Sequence, residues 1–151
     1  MRVVGVDLGT KRIGIAVSDP GGILASPYEV IARTNDAPAH RRRIAAIVSE
    51  TAAERVVVGL PLSMDGSVGP AASAAIDEAQ ALAEVVLVPV ETFDERLTTV
   101  TADRSMIERN MRAGARRKVV DKVAAAVLLQ AWLDAPKARR PMNPAPMDST
   151  A

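Results

Sequence analysis

Arg2-Val3-Val4-Gly5-Val6-Asp7 opens the chain, and Arg12-Ile13-Gly14-Ile15-Ala16-Val17-Ser18 follows it after Leu8-Gly9-Thr10-Lys11. The first run is short and β-branched and ends in an acid, which reads as a buried strand. The second has apolar residues at every second position, so it predicts a strand returning antiparallel beyond a tight turn. Asp19-Pro20-Gly21-Gly22 is dense in turn formers, because proline presets φ and glycine accepts positive φ. A third strand is then expected from about Ile23 to Ala32. The chain begins as a three-stranded meander.

Beyond the meander the period changes. Asn35-Asp36-Ala37-Pro38 offers an N-cap acid and a first-turn proline, and Ile44, Ile47, Val48 and Thr51 make the stripe of an amphipathic helix. Arg55-Val56-Val57-Val58-Gly59-Leu60-Pro61 reads as a buried parallel strand. A loop over Ser63–Pro70 precedes an alanine-rich helix from about Ala71 to Glu84, with Ile76, Ala79, Leu82 and Ala83 on one face. Val85 to Glu91 is expected as the next strand, closed by Thr92-Phe93-Asp94-Glu95-Arg96. A helix from Thr98 to Asn110, a basic loop from Met111 to Arg117 and a helix from Lys118 to Ala135 complete the domain. The order predicts an α/β fold: a mixed five-stranded sheet, an antiparallel meander plus two parallel strands, with helices on both faces. Residues 1–135 form that domain, and the proline-rich 136–151 read as a disordered tail.

Composition narrows the chemistry. At 151 residues, one domain is expected, and 48% apolar residues suffice for its core. Nineteen Lys and Arg against 18 Asp and Glu leave a formal charge of +1, which excludes nucleic-acid binding by bulk charge alone. No apolar run reaches the roughly 20 residues of a membrane span, and no secretory signal is expected. With Cys 0 and a single histidine, thiolate nucleophiles and histidine-rich zinc sites are excluded. His40 itself reads as an exposed residue near a helix start, and Arg41-Arg42-Arg43 as a solvated face. Chemistry, if any, falls to carboxylates and backbone.

Three acids stand out. Asp7 ends a strand covered on both faces, where a charge costs several kcal/mol unless paired or holding a cation. Gly5 and Gly9 clear space around it; capping of the Leu8–Lys11 turn is the plainer alternative. Glu95 follows a parallel strand, and such strand ends gather at one edge; the alternative is a solvated loop with an internal Glu95–Arg96 pair. Asp121 shares a helix face with Ala125, Leu128, Leu129 and Trp132, or else serves the helix dipole. Around it lie Arg112, Arg116, Arg117, Lys118 and Lys122. A basic cluster beside an inward acid suits a site that grips phosphates while carboxylates hold a metal. Oxygen ligands alone select hard cations, so Mg²⁺ or Mn²⁺ is expected, and such ions activate water for phosphodiester cleavage. Lys11, Arg12, Arg96, Arg116 and Lys118 are candidate phosphate contacts. With one Tyr, one Phe and one Trp, base stacking explains little.

Asp7-Leu8-Gly9-Thr10-Lys11-Arg12-Ile13-Gly14-Ile15-Ala16 resembles the opening signature of the YqgF/RuvX family, Holliday-junction-resolvase-like nucleases with a ribonuclease H-like fold. Val58-Gly59-Leu60-Pro61-Leu62-Ser63-Met64-Asp65-Gly66, Asp94-Glu95-Arg96-Leu97-Thr98-Thr99 and Lys118-Val119-Val120-Asp121-Lys122-Val123-Ala124-Ala125 resemble its later motifs, in order. The resemblance implies a cytoplasmic, metal-dependent nuclease maturing the 5′ end of pre-16S ribosomal RNA, with metal-binding acids at Asp7, Glu95 and Asp121. It also implies, as an alternative, a homodimeric resolvase of branched DNA; a non-catalytic module bound to RNA or ribosomes, its acids vestigial, is a separate reading from another class. The related RuvC group resembles this pattern but places an acid at the end of the central parallel strand. Here that place holds Gly59-Leu60-Pro61, so Glu95 would have to substitute in space, with Asp65 the nearest alternative acid.

Overall fold

A computed structural model describes residues 1–98 and 113–136, and for residues 113–122 it describes the backbone alone. The strands are β1 (Val3–Leu8), β2 (Arg12–Ser18), β3 (Ala25–Ala32), β4 (Arg55–Leu60) and β5 (Val90–Asp94), and the helices α1 (Ala37–Thr51), α2 (Pro70–Ala83) and α3 (Ala113–Asp134). The five strands form one sheet in the order β3-β2-β1-β4-β5. The meander β1-β2-β3 pairs antiparallel, whereas β4 joins β1, and β5 joins β4, in parallel. This is the expected mixed sheet. The remainder of the helix expected beyond Thr98, and the tail beyond Pro136, lie outside the described residues.

Alternation along the strands divides the core in two. Val4, Val6, Ile13, Ile15, Val56 and Val58 pack with Ile44, Ile47 and Val48 of α1 and Ala79 and Leu82 of α2. Val3, Ala16, Val57 and Phe93 face the other way, against Ala124, Ala125, Leu128, Leu129 and Trp132 of α3. A period of two on the strands thus meets helices on both faces. On β1, Gly5 makes the contact with α3 close: a Cβ there would lie 2.8 Å from Leu129 Cβ and 3.4 Å from the Ala125 carbonyl. Helix α1 starts as expected, with Asp36 Oδ1 accepting the Ala39 N–H at 3.0 Å. No described helix is long and apolar enough to cross a membrane.

Four expectations need correction. The strand expected over Val85–Glu91 is shifted: Val85–Pro89 is not strand, and β5 starts at Val90, paired with Val56. The Val85 and Val86 N–H groups both go to the Leu82 carbonyl and close the end of α2, so they cannot enter a ladder. Val86 still reaches the core, but Leu87 is 100% exposed. On α2 the buried face is Ala72, Ala75, Ala79 and Leu82, so Ile76 and Ala83 are rotated off it. Helix α3 begins at Ala113, so Ala113–Arg117, expected within a loop, is helical. Finally, His40 is buried, only 7% exposed. Its Nε2 accepts the Thr34 N–H at 3.0 Å, and the Thr34 hydroxyl lies 3.1 Å from the same nitrogen. The arginines after it are partly as expected: Arg41 and Arg43 are tied to Glu78, Glu29 and Glu50.

Candidate active site

Asp7 lies at the C-terminal end of β1, on the α3 side by alternation from Val3 and Gly5, and is 4% exposed. Across the hairpin it pairs with Gly14, and its carbonyl accepts the Gly9 N–H at 3.2 Å. The same N–H reaches the Arg12 carbonyl at 2.9 Å, and a Cβ on Gly9 would sit 2.6 Å from that oxygen, so only glycine fits this turn. A carboxylate this buried is held by its surroundings rather than by water.

Glu95 comes directly after β5 and opens a short 3₁₀ turn, Glu95–Leu97. The Thr98 N–H and hydroxyl both donate to the Glu95 carbonyl, at 3.1 and 2.8 Å, and pin the turn. The side chain folds back over β4. A Cβ on Gly59 would lie 2.7 Å from Glu95 Oε2, 3.2 Å from Glu95 Cδ and 3.0 Å from Leu128 Cδ2. The carboxylate therefore fills the space where a residue at position 59 would carry its own side chain. Val6 pairs with Val58 in the parallel ladder, so one residue further on Gly59 lies beside Asp7. Neighbouring strands are ~4.8 Å apart. Asp7 and Glu95 thus converge on the α3 side of the sheet, at one edge, although 88 residues separate them in sequence.

Helix α3 crosses this face from the same edge. Leu128 meets Gly59 late in β4, whereas Trp132 donates to Glu91 Oε2 at 3.1 Å early in β5. The helix therefore runs antiparallel to the parallel strands, and its earlier turns lie toward the edge that carries Asp7 and Glu95. The backbone of Asp121 is one turn before Ala125. The side chains of Asp121, Arg116 and Lys118, and all of Arg112, lie outside the described residues. Among the described residues no three His, Asp or Glu gather closely enough to hold an ion. The described pair is Asp7 and Glu95.

The other candidates are placed differently. Asp65 sits in the exposed loop after β4 and accepts the Ser67 N–H at 2.9 Å; hydrogen bonds from the Ser67 hydroxyl and then its N–H hold the carboxyl below the usual range. Its carboxylate serves the turn. Arg96 binds Asp94 through Nε and Nη2, the shortest contact being 2.7 Å, and donates to the Met64 carbonyl at 3.3 Å. Gly66, at φ 88°, lies beneath the guanidinium, where a Cβ would come 3.3 Å from Nη1. Arg96 thereby fastens the loop to the end of β5, and its hydrogen bonds hold the Asp94 carboxyl below the usual carboxylate range. Lys11 is exposed and Arg12 half-buried in the hairpin next to Asp7. The sequence marks Gly59 only as part of the place where an acid is missing, not as the room that Glu95 fills; the signal for that is a glycine inside an otherwise valine-rich buried strand.

A family model described as RuvX, Holliday junction resolvase, matches residues 1–135. The chain belongs to the RuvX family. RuvX relatives from Mycobacterium sp. strain KMS and Myxococcus xanthus strain DK1622 carry the provisional name of pre-16S rRNA nuclease. The first is 49% identical over 134 residues, 88% of this chain and 79% of its own length. The second is 47% identical over 135 residues, 89% of each chain. Among solved structures, Thermus thermophilus RuvC in complex with a Holliday junction substrate aligns with a TM-score of 0.55 at 18% identity, over 88% of this chain and 94% of that one. Another Thermus thermophilus RuvC structure gives a TM-score of 0.51 at 16% identity, over 85% and 92%. At such identities the likeness speaks for the fold: RuvX shares the ribonuclease H-like sheet of RuvC.

Proposed function

We propose that this RuvX chain is a metal-dependent nuclease that processes the 5′ end of pre-16S ribosomal RNA, working in the cytoplasm where that precursor is made. The observation that carries the reading is the Glu95 carboxylate lodged over Gly59, beside the buried Asp7. It supplies, from β5, the acid that the central strand does not carry itself. Asp7, Glu95 and Asp121 would hold the ion. An all-carboxylate donor set fits a hard divalent cation, Mg²⁺ or Mn²⁺, and the space kept open by glycine at position 59 fits a carboxylate turned toward it. Such an ion supplies charge neutralisation and water activation for phosphodiester hydrolysis.

The chain's own groups do the rest. Asp7, fixed in a ladder and nearly shut off from solvent, would be held ready beside the scissile phosphate by its strand. Glu95 is held by its pinned turn on the neighbouring strand. Lys11 and Arg12 on the hairpin, and Arg116 and Lys118 on α3, would contact backbone phosphates and orient the strand to be cut. Arg96, committed to Asp94, acts on the site through its loop. The deciding experiment is cleavage of a precursor 16S ribosomal RNA fragment and of a four-way DNA junction, side by side, with Mg²⁺ or Mn²⁺. Asp7→Asn is expected to keep its thermal unfolding midpoint and lose cleavage by at least about 10²-fold. Undiminished cutting by that variant would end the assignment. Preference for the DNA junction would move the substrate to branched DNA, and retention of RNA without any cleavage would leave a binding module.

A further inference from the structure

The hairpin between β1 and β2 carries Lys11 and Arg12 next to Asp7, yet its tip is fastened from outside. The Gly9 and Lys11 carbonyls are both caught by Arg33, the residue just beyond β3, whose backbone extends the β2–β3 ladder by one pair. The Arg33 guanidinium donates through Nη1 to the Gly9 carbonyl at 2.5 Å, and the Arg33 N–H donates to the Lys11 carbonyl at 2.9 Å. Arg33 is itself held in place from the next residue: Thr34 N–H donates to Nε2 of the buried His40 at 3.0 Å, and Asp36 N–H to the Thr34 hydroxyl at 3.1 Å. A chain of contacts thus runs from the start of α1, through Arg33, to the turn that carries the basic side chains.

Arg33 shares with Arg2 and Arg42 the lack of a described carboxylate partner, and differs from them in gripping the hairpin tip. Arg41, Arg43, Arg55 and Arg96 each have a carboxylate within 2.6–2.8 Å. No described carboxylate lies within ion-pair distance of Arg33 or Lys11, and both side chains are exposed.

Resting on the nuclease reading above, we propose that Arg33 is a positioning residue for substrate: it presets the 8–12 hairpin so that Lys11 meets a backbone phosphate beside Asp7. Its main effect passes through Lys11.

The test is a double-mutant cycle of Arg33→Ala and Lys11→Ala, read in two ways. Binding of a fluorescent precursor 16S ribosomal RNA fragment is measured by anisotropy in EDTA, and KM and kcat are measured with Mg²⁺. Arg33→Ala is expected to raise Kd and KM by about tenfold, the size of one charge-assisted hydrogen bond, with kcat within about twofold. In the Lys11→Ala background the same change is expected to do almost nothing further, and Arg33→Lys is expected to recover most of the loss. Deuterium exchange of residues 9–12 in the free protein is expected to quicken in Arg33→Ala, with the unfolding midpoint unmoved. Additive losses in the double variant would overturn the proposal, because Arg33 would then be an independent contact. Unchanged KM, or unchanged exchange in the hairpin, would overturn it as well. If the wild-type protein cuts neither substrate, the nuclease reading fails by itself, and anisotropy and exchange still decide the role of Arg33.

Discussion

Gly59→Ala tests the candidate site at the point where fold and chemistry meet. The new Cβ would lie 2.7 Å from Glu95 Oε2, closer than real Cβ contacts come, and 3.0 Å from Leu128 Cδ2, at the tight end of such contacts. Ordinary contact begins near 3.4 Å, so the carboxylate has to retreat by at least about 0.7 Å, and Leu128 by about 0.4 Å. A displacement of that order in a reacting group costs about 10²-fold in rate. The cost to folding is far smaller. Overpacking of this kind is worth about 1–3 kcal/mol, offset by the roughly 0.5–1 kcal/mol gained when alanine replaces glycine inside a strand. The net loss, about 0–2.5 kcal/mol, lowers the unfolding midpoint by no more than about 10 °C in a chain of this size. The assay is kcat on the precursor ribosomal RNA fragment, at a temperature where circular dichroism finds both proteins folded. Glu95→Gln is expected to lose a similar factor, and Gly59→Ala is expected to add little on top of it, because both changes act on one carboxylate. A folded Gly59→Ala variant with wild-type kcat would refute the reasoning, since the carboxylate could then leave its seat on β4 without consequence.

Two further outcomes follow from packing and charge. Gly5→Ala would press a Cβ to within 2.8 Å of Leu129 Cβ, and the neighbouring Ala125 carbonyl cannot yield without moving α3. A loss of about 1–3 kcal/mol in urea unfolding, followed by fluorescence of the lone Trp132, is expected, and no loss would mean that α3 is not seated on β1. At acid pH the Arg96–Asp94 pair becomes visible. Asp94 is held below its ordinary value of 3.8, so its contribution to stability is present above that value and is lost as pH falls through the still lower folded value. Between about pH 5 and pH 2 the unfolding free energy of Asp94→Asn is therefore expected to fall less steeply than that of the wild type. Identical slopes would place the titration elsewhere.

Much of this molecule is written in local patterns. The alternation in β2, the stripe Ile44-Ile47-Val48-Thr51 and the Asp36 cap are each decided by residues within one or two turns of chain, so their elements stand where sequence puts them. The acids Asp7 and Glu95 were legible for a related reason, since strand ends collect at one edge of a parallel sheet and an acid at such an end has few uses. Other features were set by partners distant in the chain. Val85–Val88 has the composition of a strand, but the end of α2 claims its first amides and the ladder to β4 starts at Val90. His40 is polar and sits near a helix start, yet it is buried, with Thr34 N–H donating to its ring. Arg96 looks like any cation near a site until Asp94 and Met64 turn out to hold it.

Residue types and their periods determined which strands and helices exist, which faces are apolar, and that any metal chemistry here must use oxygen ligands, because those properties depend on each residue and its near neighbours. The tertiary structure alone decided that Glu95 lies over Gly59 and beside Asp7, and that Arg33 grips the hairpin next to them. Those contacts depend on the register of β4 against β1 and on how closely α3 approaches the sheet, and both are set by packing summed over the whole core rather than by any single stretch of chain.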